Sequence, residues 1–383
     1  MKRSLAITAF FFFVTTISYT SEAKVTGECS NCHTMHNSQG GQPMATYGSS
    51  NPEGAGTGPN VQLLRGTCFG CHAQMTGEYV VTMGSSKIPQ VYHDNPSRDL
   101  AGGNFAYVTG AKGDQPLPYT SCDIECAYDA KGHNVRQLGD EEGGFAEDFP
   151  PGDQHDTGIT RSGSTALTCA GTYGCHGDRT VTGDYAAISG AHHADDSTID
   201  GLTVGTSFRF LKGVLGLENN GGPGCPPWQD PEDEPACHNE YKGSVSPGIS
   251  SPTEPAGGTM SGFCAECHGY YHGDATNETG AAGGTPWRRH PTDTILQGTT
   301  HTAGPVVTDS EYYYYQQYNT VAPVARDILP TVIDPNVVPG TDIVMCLSCH
   351  GAHATNYFKL MRWDYRGWPG GTNGCAVCHT TKD

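Results

Sequence analysis

Apolar residues in this chain come in short runs that never settle into a sustained helical or strand period. The longest, Leu5 to Ile17, is 13 residues rich in phenylalanine, preceded by Lys2 and Arg3 and followed by Ser21-Glu22-Ala23. Basic, apolar and small residues in that order make a secretory leader, and the run is shorter than the roughly 20 residues of a membrane helix. Residues 1–23 are therefore expected to be removed, leaving residues 24–383 as one exported domain without an integral anchor. Further on, stretches such as Phe208-Arg209-Phe210-Leu211 are too short for an amphipathic helix, and there are no heptads. Gly139 to Asp156 and Asn219 to Pro235 read as long Gly/Asp/Pro loops. The pattern predicts low regular secondary structure: mostly loops, with short helices and a few short strands.

Composition sharpens the problem of what such a chain folds around. Hydrophobic residues make up only 36%, against 52 glycines and 25 prolines. A domain this long normally needs a large aliphatic core. The formal charge is −19, and loss of Lys2, Arg3 and Glu22 with the leader takes it one unit lower. Nucleic acid is excluded as a partner, because phosphate binding needs a basic surface. The acidic runs Asp140-Glu141-Glu142 and Glu232-Asp233-Glu234 lack EF-hand spacing and read as solvated loop.

The chemistry lies in the cysteines. Cys-x-x-Cys-His occurs at Cys29-Cys32-His33, Cys68-Cys71-His72, Cys264-Cys267-His268, Cys346-Cys349-His350 and Cys375-Cys378-His379. Composition alone predicts about 0.03 copies, and the motif is that of c-type heme attachment. The thiols form thioethers and the adjacent histidine is placed under the iron. Zinc would need paired knuckles or a His-x₃₋₅-His partner, not a histidine after every second cysteine. The porphyrins then supply the apolar core that the side chains lack, and the fold class expected is a multiheme cytochrome wrapped around a stacked heme chain.

Six cysteines depart from that spacing. Cys169 and Cys175-His176 enclose five residues, and Gly171 and Gly174 would let the extra three bulge outward. A sixth heme at 169–176 is the favoured reading, and a local disulfide is the alternative. Cys225 and Cys237-His238 enclose eleven residues, for which a disulfide is favoured over a seventh heme. Cys122 and Cys126 have no histidine after either thiol and are disulfide candidates. Four leftover cysteines allow three pairings, of which Cys122–Cys126 with Cys225–Cys237 is the simplest.

Six hemes use His33, His72, His176, His268, His350 and His379 as proximal ligands and leave eleven further histidines, against eight methionines. Histidine on both faces follows, with low-spin iron, low potential and no vacancy for substrate. The distal candidates are His36, His93, His133, His192, His193, His238, His272, His290, His301 and His353; His155 reads as loop. His36, His272 and His353 lie three or four residues after a motif histidine. The porphyrin bars each from its own iron, so as a ligand each would have to bind a different heme; the alternative for any one is an exposed histidine. Tyr312 to Tyr315 fit either porphyrin edges or a subunit interface.

The segment Glu28-Cys-Ser-Asn-Cys-His-Thr-Met-His-Asn-Ser38 resembles the opening of the OmcS-like hexaheme cytochromes of metal-reducing bacteria. Lys131-Gly-His-Asn134, Met260-Ser-Gly-Phe-Cys-Ala-Glu-Cys-His268 with His272, Arg289-His290-Pro291 and Cys346-Leu-Ser-Cys-His-Gly-Ala-His353 follow in the same order. The resemblance implies a continuous heme column, polymerisation into extracellular nanowires, and a homopolymer link from His36 to the heme of Cys346, Cys349 and His350 in the next protomer. The five-residue spacing at Cys169 and the four surplus cysteines depart from the family pattern. The function expected is extracellular electron transfer to other cytochromes or extracellular acceptors, with no catalytic residues. A soluble periplasmic carrier is the alternative. An oxidoreductase needs an open iron, often marked by Cys-x-x-Cys-Lys, which is absent.

Overall fold

The computed structural model describes residues 27–33, 67–73, 77–84, 86–112, 131–138, 167–219, 236–245, 258–268, 292–296, 314–365 and 374–380, with residues 25, 38–39, 42–43, 63–64, 221, 224–225, 228, 290 and 312. The leader, His36, Cys122, Cys126, the loop Gly139 to Asp156, His155, His272 and His301 lie outside the described residues.

Regular structure is sparse, as the patterning predicts. The α-helices are α1 (Cys68–His72), α2 (Asp184–Ala187), α3 (Met260–His268), α4 (Cys346–Cys349) and α5 (Gly374–Cys378). The strands pair in twos: β1 (Ser38–Gln39) with β2 (Gln42–Pro43), β3 (Val80–Met83) with β4 (Ser86–Pro89), and β5 (Thr168–Ala170) with β6 (Gly174–His176). β7 (Gly216–Leu217) pairs with β8 (Glu240–Tyr241), and β9 (Thr294–Ile295) with β10 (Ile343–Val344). Of these pairs, β5 and β6 run parallel and the others antiparallel. Among the described residues, no helix is long and apolar enough to cross a membrane.

Among the described residues, four of the five α-helices coincide with Cys-x-x-Cys-His motifs. Residues at i, i+3 and i+4 share one helical face, so a single turn aims both thiols and the imidazole in one direction. The turn closes through backbone bonds from His33 N to Cys29 O (2.9 Å), His350 N to Cys346 O (3.1 Å) and His379 N to Cys375 O (2.7 Å).

Apolar side chains gather in three small clusters. Phe69, Tyr92, Phe105, Tyr107 and Val135 form the first, with Cys169 packed against it. Phe208, Val214, Tyr241, Met260, Ile343 and Met345 form the second, flanked by Cys175 and Phe263. Leu296, Tyr315, Tyr318, Val324 and Val337 form the third, flanked by Tyr312 and Cys378. Motif cysteines thus border every cluster. Of the tyrosine run, Tyr315 is buried with its hydroxyl donating to Ala322 O (2.6 Å), while Tyr314 is exposed.

Buried polar networks tie the segments together. Arg179, three residues after His176, makes a two-pronged bond to Glu266 inside α3 at 2.6 and 2.8 Å. Both side chains are almost fully buried, at 1% and 2% exposure. Glu266→Ala would strand a buried guanidinium and is expected to cost about 3–5 kcal/mol, whereas loss of an exposed pair costs under about 1. Denaturant unfolding of the heme-loaded protein measures this, and a loss below about 1 kcal/mol contradicts it.

The disulfide Cys225–Cys237 is present and closes a separation of 12 residues, which the chain-entropy relation makes worth about 3 kcal/mol. It anchors a second network. His238 Nε2 donates to Glu240 Oε1 at 3.1 Å, Arg326 Nε donates to Glu240 Oε2 at 2.9 Å, and Arg326 also binds Asp342.

Candidate heme-binding site

The irregular third motif reaches the same end by a different route. Cys169 lies on β5 and Cys175 on β6, whose parallel pairing of Thr168 with Gly174 and Ala170 with His176 brings the two cysteines side by side. The intervening residues fold outward as a turn, with Gly171 at φ +82° and Gly174 N bonded to Gly171 O at 2.8 Å. A Cβ on Gly174 would meet the Ala170 backbone at 2.5 Å, so the close approach requires glycine. Both cysteines are free thiols here, and the local disulfide is not formed.

Five motif histidines stand opposite a second imidazole at nearly constant separation. The ring centres lie 6.3 Å apart for His33 and His193, and 6.4 Å for His72 and His192. They lie 6.3 Å apart for His176 and His353, 6.1 Å for His268 and His133, and 6.0 Å for His379 and His290. Separation alone is not distinctive, since Phe69 stands 6.0 Å from both Tyr92 and Phe105; what sets these pairs apart is that a second imidazole recurs opposite a motif histidine five times. A metal about 2.0 Å from each of two facing nitrogens would set the ring centres about 6.3 Å apart. The donor set and its spacing therefore fit an iron held between two histidines. Opposite His350, no described residue provides such a ring.

The outer nitrogens support the same assignment. His72 Nδ1 donates to Pro89 O at 2.8 Å, His176 Nδ1 to Arg209 O at 2.9 Å, and His350 Nδ1 to Lys359 O at 2.9 Å. His133 Nδ1 donates to Ala352 O at 2.8 Å. A carbonyl only accepts, so each Nδ1 carries the proton and Nε2 keeps its lone pair for a metal. Burial pushes the pKa of His72, His176 and His350 down and that of His353 down to about 3, which keeps these rings in the neutral, ligating form.

Two of those carbonyls belong to left-handed backbone that sequence reasoning missed. Arg209 and Phe210 have φ of 47° and 61°, and Lys359 and Leu360 have 59° and 57°. Left-handed residues other than glycine cost about 1–2 kcal/mol each, so two consecutive ones are retained against a local preference. In both cases the twist turns one carbonyl to the motif histidine and the next to the following glycine. Phe210 O accepts from Gly177 N, and Leu360 O from Gly351 N, both at 2.8 Å. The only signal in sequence is the echo between Phe208-Arg-Phe-Leu-Lys212 and Phe358-Lys-Leu-Met-Arg362.

Successive sites adjoin. His192 and His193, on one turn at Ala191–His193, face the second and first motifs. The Cys68 and Cys169 thiols and an Asp184 carboxylate oxygen lie within 4.8 Å of one another, so the second and third sites meet. Hydrogen bonding to Cys346, then burial, pushes the Cys264 thiol up, which places the fourth site against the fifth. The Cys349 thiol is pushed up to about 12 by burial and by Cys378 and Cys375, which places the fifth beside the sixth.

Two sequence candidates for distal ligand have other work. His93 Nδ1 accepts from Asn95 N at 3.2 Å, and its Nε2 lies 3.5 Å from Asp99 Oδ1. Burial, with Lys112, pushes its pKa down to about 4, so it is a neutral core acceptor. His238 is committed to Glu240 and Tyr318. Cys237 beside it is in the disulfide, so no seventh heme attaches there. A surplus of histidines does not tell a buried turn acceptor from a ligand, because both are apolar-flanked single residues.

Residues 339–383 match the family described as the doubled CXXCH motif. The chain is similar to the C-type cytochrome OmcS of Geobacter sulfurreducens (strain ATCC 51573 / DSM 12127 / PCA). The two are 28% identical over 409 aligned residues, covering 95% of this chain and 85% of the relative. Among solved structures, it aligns with the Outer Membrane Cytochrome S filament from Geobacter sulfurreducens at 18% identity and a TM-score of 0.41, covering 90% of this chain and 85% of that one. Against a structure of the OmcS nanowires from the same organism the figures are 18% and 0.39, with 88% and 84% covered.

Proposed function

We propose that this chain is an extracellular electron conduit that binds six c-type hemes between paired histidines and polymerises head to tail. The observation that carries the reading is the set of five imidazole pairs, each at the spacing a shared iron needs. Their residues come from segments up to 177 positions apart, as for His176 and His353. The similarity to a C-type cytochrome over 95% of the chain points the same way.

Each pair has a defined role. The motif cysteines fix the group covalently, the motif histidine binds one face, and His193, His192, His353, His133 and His290 close the other at the first, second, third, fourth and sixth sites. Bound there, heme c supplies a one-electron iron couple. With both axial positions filled from the protein, no position is left for a substrate, so the chain moves electrons rather than atoms. Adjacent sites in contact then form a path along its length.

The fifth site carries the polymer reading. His350 has its Nδ1 anchored but no described imidazole opposite it. His36, in the Cys-His-Thr-Met-His segment, is the ligand proposed to arrive from the neighbouring copy. If His36 instead served its own chain, the protein would be a soluble periplasmic carrier.

Intact-mass measurement of the exported protein tests the heme assignment. Six covalently bound hemes are expected, falling to five in the Cys169→Ser/Cys175→Ser double variant. Five hemes in the unmodified protein would overturn the role of the third site.

A further inference from the structure

The third and fifth motifs are built on the same seat. His176 and His350 donate from Nδ1 to the first carbonyl of a left-handed pair, both at 2.9 Å. Gly177 and Gly351 take the second carbonyl, both at 2.8 Å. Leu211 bridges Gly177 and Met361 bridges His350, and a basic residue follows each, Lys212 and Arg362.

The seats differ in charge. At the third site Asp178, two residues after His176, holds Lys212 at 2.5 Å. Asp178 also accepts from Thr180, through its backbone N–H at 3.0 Å and its hydroxyl at 2.6 Å, so the lysine's charge is met by a fixed carboxylate. At the fifth site the equivalent position is Ala352. Arg362 is left on carbonyls: Nε donates to Leu347 O at 2.7 Å and Nη2 to Ala101 O at 3.0 Å. Its backbone N–H donates to Cys349 O at 2.8 Å, so the residue is fixed to the motif itself. Arg179, Arg209 and Arg326, by contrast, each hold a carboxylate within 3.2 Å.

A half-buried guanidinium with no carboxylate against it among the described residues, set on an attachment motif, calls for an anion. The group attached there would bring two carboxylates. We propose that Arg362 binds a propionate of the fifth heme and raises the reduction potential of that iron. A nearby positive charge stabilises the more negative, reduced state, and in a partly buried site water screens it weakly. This rests on the heme assignment above.

Spectroelectrochemical titration of the six-heme protein, with the heme count fixed by mass, tests it. In Arg362→Leu one of six components should move to lower potential. Its reduced-to-oxidised ratio at fixed potential should fall at least about tenfold, which is 59 mV for one electron. Arg362→Lys should stay within about threefold of the unmodified protein on the same scale. Ala352→Asp, which restores the carboxylate without touching the arginine, should shift the same component downward and decides the matter if Arg362→Leu loses a heme. Six hemes with an unchanged titration in Ala352→Asp and in a fully loaded Arg362→Leu overturn the proposal. A five-heme unmodified protein would instead remove the reading on which it stands.

Discussion

Replacing His353 with alanine should convert one iron from low-spin to high-spin and open it to carbon monoxide. The ring stands 6.3 Å from His176, three residues beyond the fifth motif, and is half-buried against Phe105. Alanine has no donor, and no other ligating side chain among the described residues stands in its place. Uptake of carbon monoxide by the reduced protein should rise by one equivalent per chain. Loss of an imidazole also weakens electron donation to the iron, so that component should move to higher potential, opposite in sign to the Arg362→Leu shift. Unchanged carbon monoxide uptake would show that His353 is not a ligand and would break the pairing scheme.

Replacing His36 with alanine should abolish filaments while leaving a folded chain with all six hemes. A coordination bond supplied across a subunit boundary is strong and directional, so its loss removes the link without disturbing the protomer. The dissociated variant should bind one carbon monoxide per chain, at the fifth site, whereas intact filaments should bind none. Persistence of filaments in the variant would mean that assembly rests on another surface. Filament loss with no carbon monoxide uptake would mean that the fifth iron is closed from within the chain.

The turn at each Cys-x-x-Cys-His motif was legible in the sequence because its geometry is local. A Cys-x-x-Cys-His turn places i, i+3 and i+4 on one face whatever surrounds it, and α1, α3, α4 and α5 form where those motifs lie. The bulge at Cys169 was also legible, because Gly171 and Gly174 are what a tight outward turn requires. The Cys225–Cys237 bond follows from the lack of a standard motif at either thiol.

Which histidine faces which was not legible. His133 and His268 are 135 positions apart, and nothing local to either names the other. His93 shows the converse. Its burial comes from Asp99, Asn104 and Lys112 gathered around it, a tertiary arrangement that the residue's own neighbours in sequence do not announce. The left-handed pairs were missed because Arg209-Phe210 and Lys359-Leu360 carry no glycine to mark them.

Electron cryo-microscopy of the natively extracted protein addresses the central claim most directly. The expected image is a filament with six hemes per chain in a continuous column. Its irons should lie between His33 and His193, His72 and His192, His176 and His353, His268 and His133, and His379 and His290, with the neighbour's His36 on the iron of His350. Discrete monomers with every iron ligated from within would contradict it.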